Sequence, residues 1–178
     1  MNLYGIGIGP GDPELITLKA LKMIRKVDAI VVPVSSLKLT YNAVKPYLGG
    51  KEVIEFNLPV RRDRSEYRKL ADSISSYREV AYVTLGDPAF YSSLYRLSEH
   101  VSVAEVVPGI SSFSWCSALH KIPIGLGDEK VLISPGNLDG SYKADTFVFM
   151  KGETEAPIKC GNGYFTVSIK RSAQSRNG

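Results

Sequence analysis

The chain of 178 residues has few of the side chains from which hydrolytic, metal and redox centres are usually built. It contains two cysteines, two histidines and one tryptophan. Cys116 and Cys160 have neither the number nor the spacing of a disulfide framework or a zinc site. His100 and His120 each stand alone near the end of a predicted helix, where a surface position is expected. These absences predict no metal centre and argue against a hydrolase with a built-in nucleophile.

Long apolar runs and a strong net charge are absent as well. No apolar segment approaches the roughly 20 residues needed to span a bilayer, and Met1 leads straight into a strand without the basic region of a signal peptide. The formal net charge of +4 is too small, without a basic run, to indicate nucleic acid. It suits an acidic small molecule. We therefore expect a cytoplasmic protein that binds neither a membrane nor nucleic acid.

Strand-like and helical segments alternate along most of the chain. The strands are predicted at 3–9, 29–34, 52–56, 80–85 and 103–107, and the helices at 13–26, 41–48, 64–77, 91–100 and 110–121. This alternation is typical of βαβ units and a mostly parallel sheet. Three further strands with little helix between them are predicted at 130–133, 146–150 and 164–169. We therefore expect an N-terminal α/β domain at 1–124 and a shorter C-terminal domain at 125–178.

Two Gly-Asp-Pro tripeptides are the most informative local feature, and each lies at the end of a strand-like run. They occupy residues 11–13 and 86–88. In each, an aspartate suited to a helix N-cap precedes a proline suited to a first helical turn, which predicts a strand, a turn and a helix start. Open α/β sheets bind ligands in the loops after the carboxyl ends of their strands. Both tripeptides are therefore candidate ligand loops.

The glycine-rich run at 5–11 fits neither of the common phosphate-binding motifs. Pro10 and Asp12 stand where a dinucleotide fingerprint that starts at Gly5 or Gly7 needs its third glycine. No Gly-Lys-Ser/Thr follows, which excludes a P-loop. Considered alone, the run is as well explained by a glycine-rich strand end that only makes a turn.

The second Gly-Asp-Pro loop combines a flexible backbone position with polar and aromatic side chains. Gly86 lets a ligand approach the backbone closely. Asp87 either caps the next helix or accepts hydrogen bonds from a ligand. Phe90 and Tyr91 offer apolar or stacking surface beside this carboxylate, an arrangement that also suits a cationic group.

Two other groups of side chains follow strand-like runs. Ser111 and Ser112 come after a Pro-Gly turn, where hydroxyls meet the free amides of a helix N-terminus, although an ordinary cap is the alternative. Arg61, Arg62 and Arg64 form a compact basic cluster. Such a cluster is usually a solvated loop, but guanidinium groups also pair well with the carboxylates of an acidic substrate.

With these motifs in view, the chain resembles the tetrapyrrole (corrin/porphyrin) methylases, a family of S-adenosylmethionine-dependent methyltransferases. Residues 4–20 match the family's N-terminal signature, 84–93 match its second Gly-Asp-Pro motif, and 107–113 match its Val-Pro-Gly-Ile-Ser/Thr-Ser-Phe motif. The order and spacing of these motifs agree with the family over roughly residues 1–135. Within the family, 56–64, 85–92 and 122–129 resemble the precorrin-2 C20-methyltransferase branch.

The resemblance implies a two-domain α/β fold and a homodimer. The N-terminal sheet would be mostly parallel with helices on both faces, and the shortened C-terminal domain would complete a cofactor cleft. S-adenosylmethionine would bind there. The residues carried over by position to contact it or lie beside it are Gly86, Asp87, Phe90, Ser111, Ser112 and Met150.

The resemblance also implies methylation of a reduced tetrapyrrole in cobalamin biosynthesis, at C20 of precorrin-2 or cobalt-precorrin-2, with S-adenosylhomocysteine as the second product. Pro10, Gly11 and Asp12 would line the tetrapyrrole trough, and the arginine cluster would attract the carboxylates of the substrate. Asp87 and Tyr91 are candidates for the proton acceptor by location alone.

Two alternatives remain open at this point. The chain could be another tetrapyrrole methylase or a diphthine synthase-like enzyme, because the shared motifs handle the cofactor and do not select the acceptor. It could also be a non-catalytic protein that binds the cofactor or a tetrapyrrole. This second alternative rests on the C-terminal domain, which is short for the family and matches no family pattern over 152–178.

Overall fold

The structure is a computed structural model that describes residues 1–34, 38–58, 64–136, 138 and 141–172. The chain divides into two compact units, Met1–Ser111 and Ser112–Gly178. The domain boundary expected between residues 124 and 125 lies later in the chain than the division between these two units, and one helix separates the two positions. The expected boundary stays a prediction. Among the described residues, no helix is both long and apolar enough to cross a membrane.

The first unit is built on a five-stranded sheet with the order β3-β2-β4-β1-β5, in which all neighbours are parallel. Its strands are β1 (Asn2–Gly7), β2 (Ala29–Val34), β3 (Glu52–Asn57), β4 (Glu79–Thr84) and β5 (Val103–Val107). β2 is buried along nearly its whole length, as its wholly apolar sequence predicts for a parallel strand covered on both faces.

Helices cover both faces of this sheet. They are α1 (Leu18–Lys26), α2 (Leu39–Val44), α3 (Arg64–Ile74) and α4 (Leu94–Leu97). α1 and α2 contribute Ile24 and Val44 to one core, whereas α3 and α4 contribute Tyr67 and Leu94 to a second core. Leu3 and Tyr4 belong to different cores because successive strand residues point to opposite faces. The predicted α/β fold with a mostly parallel sheet is confirmed.

The helix predicted at 13–26 is divided by two capping side chains. The carboxylate of Asp12 accepts a hydrogen bond from the Glu14 N–H at 2.9 Å and begins a short 3-10 turn at Pro13–Leu15. The hydroxyl of Thr17 then accepts from the Ala20 N–H at 3.1 Å and begins α1. The first Gly-Asp-Pro therefore starts a helical turn as predicted, but that turn ends after three residues.

The helix predicted at 91–100 is reduced to α4, and the second Gly-Asp-Pro leads into a turn instead of a helix. Tyr91 has a backbone φ of +54°, which lies outside the right-handed helical region and stops a helix from starting earlier. The hydroxyl of Ser92 accepts from the Leu94 N–H at 3.1 Å, so α4 begins only there. The prediction that Asp87 is followed directly by a helix is wrong.

The second unit has one α-helix and a four-stranded sheet among its described residues. They are α5 (Ser112–Leu119), β6 (Val131–Ser134), β7 (Thr146–Met150), β8 (Ile158–Cys160) and β9 (Val167–Arg171). The strand order is β6-β7-β9-β8; β6 and β7 are parallel, and β9 is antiparallel to both of its neighbours. β8 was not predicted because three residues are too few to show an alternating pattern.

Cys116 of α5 and Cys160 of β8 form a disulfide with a Cα–Cα distance of 5.7 Å. The expectation that two cysteines are too few for a disulfide framework is corrected by this bond. The fold brings together two residues that are 44 positions apart. Closing a loop of this length stabilises the folded state by about 4 kcal/mol in the chain-entropy description.

Arg171 anchors the last strand to an earlier loop of the second unit. Its guanidinium donates to both carboxylate oxygens of Glu129 at 2.6 Å and to the Pro123 carbonyl at 2.8 Å. Glu129 also accepts from the Leu126 N–H at 2.8 Å. The two side chains of the ion pair are only 17% and 14% exposed. This paired, charge-assisted contact is therefore stronger than a typical surface salt bridge.

Replacing Arg171 with methionine should lower the free energy of unfolding by about 2–3 kcal/mol, because the mostly buried Glu129 carboxylate loses its partner. Arg96→Met is the control, since the side chains of its ion pair with Glu99 are 44% and 34% exposed and such a pair contributes less than about 1 kcal/mol. Urea unfolding followed by circular dichroism measures both. Equal losses in the two variants would contradict the anchoring role.

Candidate functional site

The carboxyl ends of β4, β1 and β5 lie side by side at one edge of the first sheet. The loops that follow them, at 8–12, 85–91 and 108–111, are here called the loop edge. Two of these loops are joined directly. The Gly9 N–H donates to the Gly86 carbonyl at 3.3 Å, and the Gly86 N–H donates to the Gly9 carbonyl at 2.6 Å. The two glycine-rich loops therefore form one connected surface.

Three glycines from three different loops or strand ends, Gly7, Gly86 and Gly109, pack backbone against backbone and are called the glycine junction. A Cβ on Gly7 would lie 2.5 Å from the Gly109 nitrogen and 2.8 Å from the Gly86 oxygen. A Cβ on Gly109 would collide with the Gly86 oxygen and lie 2.8 Å from the Gly7 carbonyl carbon. Gly86 also has a φ of +75°, which strongly favours glycine. No side chain fits at this point.

Asp87 shapes its own loop. Its Oδ1 accepts from the Ala89 N–H at 2.8 Å, and its backbone carbonyl accepts from the Phe90 N–H at 3.1 Å. The side chains of Asp87 and Phe90 are both half-buried. The carboxylate therefore organises a tight turn that places a charged group and an aromatic ring at the loop edge.

Tyr91 follows in an unusual backbone conformation for a non-glycine residue, with φ at +54°. Its side chain is 39% exposed. Desolvation by the surrounding protein raises the pKa of the Tyr91 phenol above its ordinary value. The phenol is therefore protonated at neutral pH, and it fits a hydrogen-bond donor better than a proton acceptor.

Most of the residues predicted to bind cofactor or substrate lie at the loop edge. Ser111 is 6% exposed and follows β5, whereas Asp12 is exposed and uses its carboxylate to cap the 3-10 turn. The predicted residues that the first unit brings to this edge are Pro10, Gly11, Asp12, Gly86, Asp87, Phe90, Tyr91 and Ser111.

The arginine cluster is only partly described. Arg64 begins α3, and its Nε lies 3.6 Å from the Glu99 Oε2 with the arginine side chain 73% exposed. Arg61 and Arg62 lie outside the described residues. Their predicted contact with substrate stays a prediction.

Two predicted cofactor residues belong to the second unit. Ser112 is the first residue of α5, and Met150 is the last residue of β7, where its side chain is half-buried. Their contact with the cofactor stays a prediction.

Sequence reasoning did not include Gly7, Gly9 or Gly109 among the site residues. Gly7 and Gly9 belong to the run that is also explained by a simple turn, and Gly109 belongs to the Pro-Gly signal after β5. Each glycine is visible in the sequence. What the sequence could not provide is that Gly7 and Gly109 meet across neighbouring strands.

Gly109→Ala should lower the free energy of unfolding by about 2–3 kcal/mol, because the new methyl group meets backbone atoms that cannot rotate away. Gly50→Ala is the control, because a Cβ at Gly50 would have no neighbour within 4 Å. The φ of Gly50 is +75°, so this substitution should lower the free energy of unfolding by about 1 kcal/mol through backbone conformation alone. Thermal and urea unfolding compare the two. A Gly109 variant as stable as the control would disprove the close packing of the junction.

A family model of the Tetrapyrrole (Corrin/Porphyrin) Methylases matches residues 2–158. The chain is 36% identical over 190 residues to the probable cobalt-precorrin-2 C(20)-methyltransferase of Methanocaldococcus jannaschii, an alignment that covers 96% of this chain and 83% of that protein. A solved structure of a putative cobalamin synthesis related protein (CobF) from Corynebacterium diphtheriae matches with a TM-score of 0.63 and 31% identity, over 74% of this chain and 63% of that one.

A uroporphyrin-III C-methyltransferase from Thermus thermophilus, solved in complex with S-adenosyl homocysteine, matches with a TM-score of 0.60 and 22% identity. That alignment covers 84% of this chain and 69% of the other, and at this identity it shows the fold alone. The chain thus spans most of the Methanocaldococcus relative but about two thirds of the two solved structures. The family predicted from the motifs is confirmed: the chain belongs to the tetrapyrrole (corrin/porphyrin) methylases.

Proposed function

We propose that the chain is an S-adenosylmethionine-dependent C-methyltransferase that methylates C20 of precorrin-2 or cobalt-precorrin-2. The observation that carries this proposal is the loop edge, where two Gly-Asp-Pro loops are joined by the Gly9–Gly86 hydrogen bonds. The choice of reaction is supported by the Methanocaldococcus jannaschii relative, whose name states it and which aligns with 96% of this chain.

The chemistry of the loop edge fits S-adenosylmethionine. The backbones of the glycine junction pack against one another, so the junction fixes the relative positions of the strand ends and loops that carry Asp87, Phe90 and Ser111. The Asp87 carboxylate suits the cationic or hydroxyl groups of such a molecule, and the Phe90 ring offers an apolar surface beside it. When bound, the cofactor would supply an already activated methyl group on a sulfonium.

An activated methyl group leaves the protein mainly the tasks of aligning the acceptor carbon and excluding water. A chain without a recognisable nucleophile suits these tasks. Of the two candidate proton acceptors, the Tyr91 phenol is disfavoured because desolvation raises its pKa. The side chain of Asp87 is held in a tight turn by its hydrogen bond from the Ala89 N–H. We therefore assign the role of proton acceptor to Asp87. Tyr91 would instead donate a hydrogen bond to the substrate.

The proposed substrate is a macrocycle with several carboxylates, and the charges of the chain suit it. The arginine cluster follows β3 in sequence, and β3 lies three positions from β1 in the sheet. Strand spacing separates the carboxyl ends of β3 and β1 by about 14 Å along the same edge of the sheet. The exposed Arg64–Glu99 pair is weak enough to be exchanged for a substrate carboxylate. We infer that Arg64, with Arg61 and Arg62 close to it in sequence, attracts the carboxylates of such a molecule.

A homodimer is part of the proposal. Apolar side chains are exposed at several places in the second unit, including Leu119 at 57% and Leu126 at 52%. Sedimentation velocity of the full chain gives the oligomeric state directly.

Asp87→Asn should weaken binding of S-adenosylhomocysteine by about tenfold or more, because a charged hydrogen-bond acceptor is lost while an amide oxygen can still accept from Ala89. Asp72→Asn is the matched control, since Asp72 is exposed on α3. Isothermal titration calorimetry measures both. Unchanged affinity in the Asp87 variant would remove this residue from the cofactor site, and no binding to folded wild-type protein would remove the cofactor itself.

Incubation with precorrin-2 and S-adenosylmethionine labelled with ¹³C at the methyl group should give one labelled methyl at C20, identified by nuclear magnetic resonance. A label at another ring position would assign the chain to a different methylase. Cofactor binding without transfer to precorrin-2 or cobalt-precorrin-2 would favour the non-catalytic binding protein.

Tyr91→Phe should keep the alkaline limb of the pH–rate profile unchanged, because a phenol with a raised pKa does not serve as the proton acceptor. The loss of one hydrogen bond should lower kcat/KM by about tenfold. A profile measured on the methylation assay from neutral to alkaline pH tests this. If the variant loses the basic limb, Tyr91 is the acceptor after all.

A further inference from the structure

The second unit contains a compact group of metal-ligating side chains that the loop edge does not use. Cys116 lies in α5, His120 follows the end of that helix, and Cys160 is the last residue of β8. The two sulfur atoms and one imidazole nitrogen all lie within 4.8 Å of one another. These three residues are called the Cys–His cluster.

The helix sets the first two members of the cluster side by side. Cys116 and His120 are four positions apart, so they lie on the same face of the helix. The His120 N–H donates to the Cys116 carbonyl at 3.2 Å, which continues the helical turn as far as the histidine. Cys116 is fully buried and Cys160 is 9% exposed, whereas His120 is exposed. The imidazole therefore stands on the solvent side of two buried sulfur atoms.

We propose that the Cys–His cluster, once its disulfide is reduced, is a binding site for a thiophilic divalent metal ion such as Zn²⁺. Two thiolates and one imidazole are a ligand set that zinc accepts, with Zn–S bonds of about 2.3 Å and Zn–N bonds of about 2.0 Å. Such bond lengths in a tetrahedral site place ligand atoms about 4 Å apart. The two sulfur atoms, bonded to each other in the oxidised chain, must move apart on reduction, and the imidazole nitrogen lies within 4.8 Å of both. Water or an external ligand fills the fourth position.

The disulfide and the metal are alternative states of the same sulfur atoms. A dithiol transfers two electrons and two protons to the S–S bond, which breaks to give two thiols while the dithiol becomes a disulfide. Zn²⁺ then displaces both thiol protons, two Zn–S bonds form, and neutral imidazole donates its lone pair. The resulting centre has no net charge. Because binding releases protons, affinity falls as the pH falls.

Two observations favour a metal site over a purely structural disulfide. A disulfide has no need of an imidazole, yet the chain places one of its two histidines against the sulfur pair. Cys160 also lies beyond residues 2–158, the part that the family model matches, so the shared family pattern does not account for it. Both states tie α5 to β8, whereas reduction without metal removes the covalent link between them.

The test uses the full chain reduced by a water-soluble phosphine, which becomes the phosphine oxide, and then titrated with Co²⁺ as a spectroscopic probe for Zn²⁺. We expect equimolar binding with sulfur-to-cobalt charge-transfer bands and the intense visible bands of tetrahedral cobalt, both abolished by Zn²⁺. The oxidised chain should show neither. His120→Ala should weaken Co²⁺ binding at least tenfold, and His100→Ala, which changes an exposed histidine of the first unit, should leave it unchanged.

His120→Ala keeps both cysteines, so its disulfide and its thermal unfolding in the oxidised state show whether it is folded. A reduced wild-type chain without charge-transfer bands would overturn the proposal. So would a folded His120→Ala variant that binds Co²⁺ like the wild type, or equal binding by the oxidised and reduced chains.

Discussion

The close approach of three backbone segments at the glycine junction is the constraint on which the rest of the first unit depends. Gly7, Gly86 and Gly109 lie where the strands β1, β4 and β5 end, and a Cβ on Gly7 or Gly109 would meet backbone atoms of the neighbouring segments. The hydrogen bonds between Gly9 and Gly86 extend this contact into the loops. A parallel sheet brings its carboxyl ends to one edge in any case. At the glycine junction the loops at this edge are also in direct contact, so they form one surface.

The reaction proposed for this surface requires mainly that the protein positions the reacting groups. Methyl transfer from a sulfonium calls for alignment and exclusion of water, and the loop edge offers a turn fixed by the Asp87 carboxylate, the Phe90 ring and the protonated Tyr91 phenol. The strained φ of Tyr91 is the kind of backbone cost that is found at functional sites. The scarcity of histidine and cysteine is therefore consistent with the function, since neither residue is required for the proposed reaction at this edge.

Local sequence signals predicted the order of elements in the first unit and the loops that carry the candidate site. Asp12 and Thr17 act as the caps that their residue types favour. The predictions that proved wrong concern features that do not depend on the local sequence pattern. Tyr91 adopts a positive φ and shortens the helix expected after Asp87. The disulfide between Cys116 and Cys160 joins residues 44 positions apart, which depends on the tertiary fold of the second unit.

Binding of the cofactor at the loop edge can be measured by hydrogen–deuterium exchange with and without S-adenosylhomocysteine. We expect slower exchange in peptides that contain residues 85–91 and 108–111, with no change across α3, which lies away from these loops in sequence. Slower exchange confined to other segments, with residues 85–91 unaffected at saturating ligand, would show that the cofactor binds elsewhere.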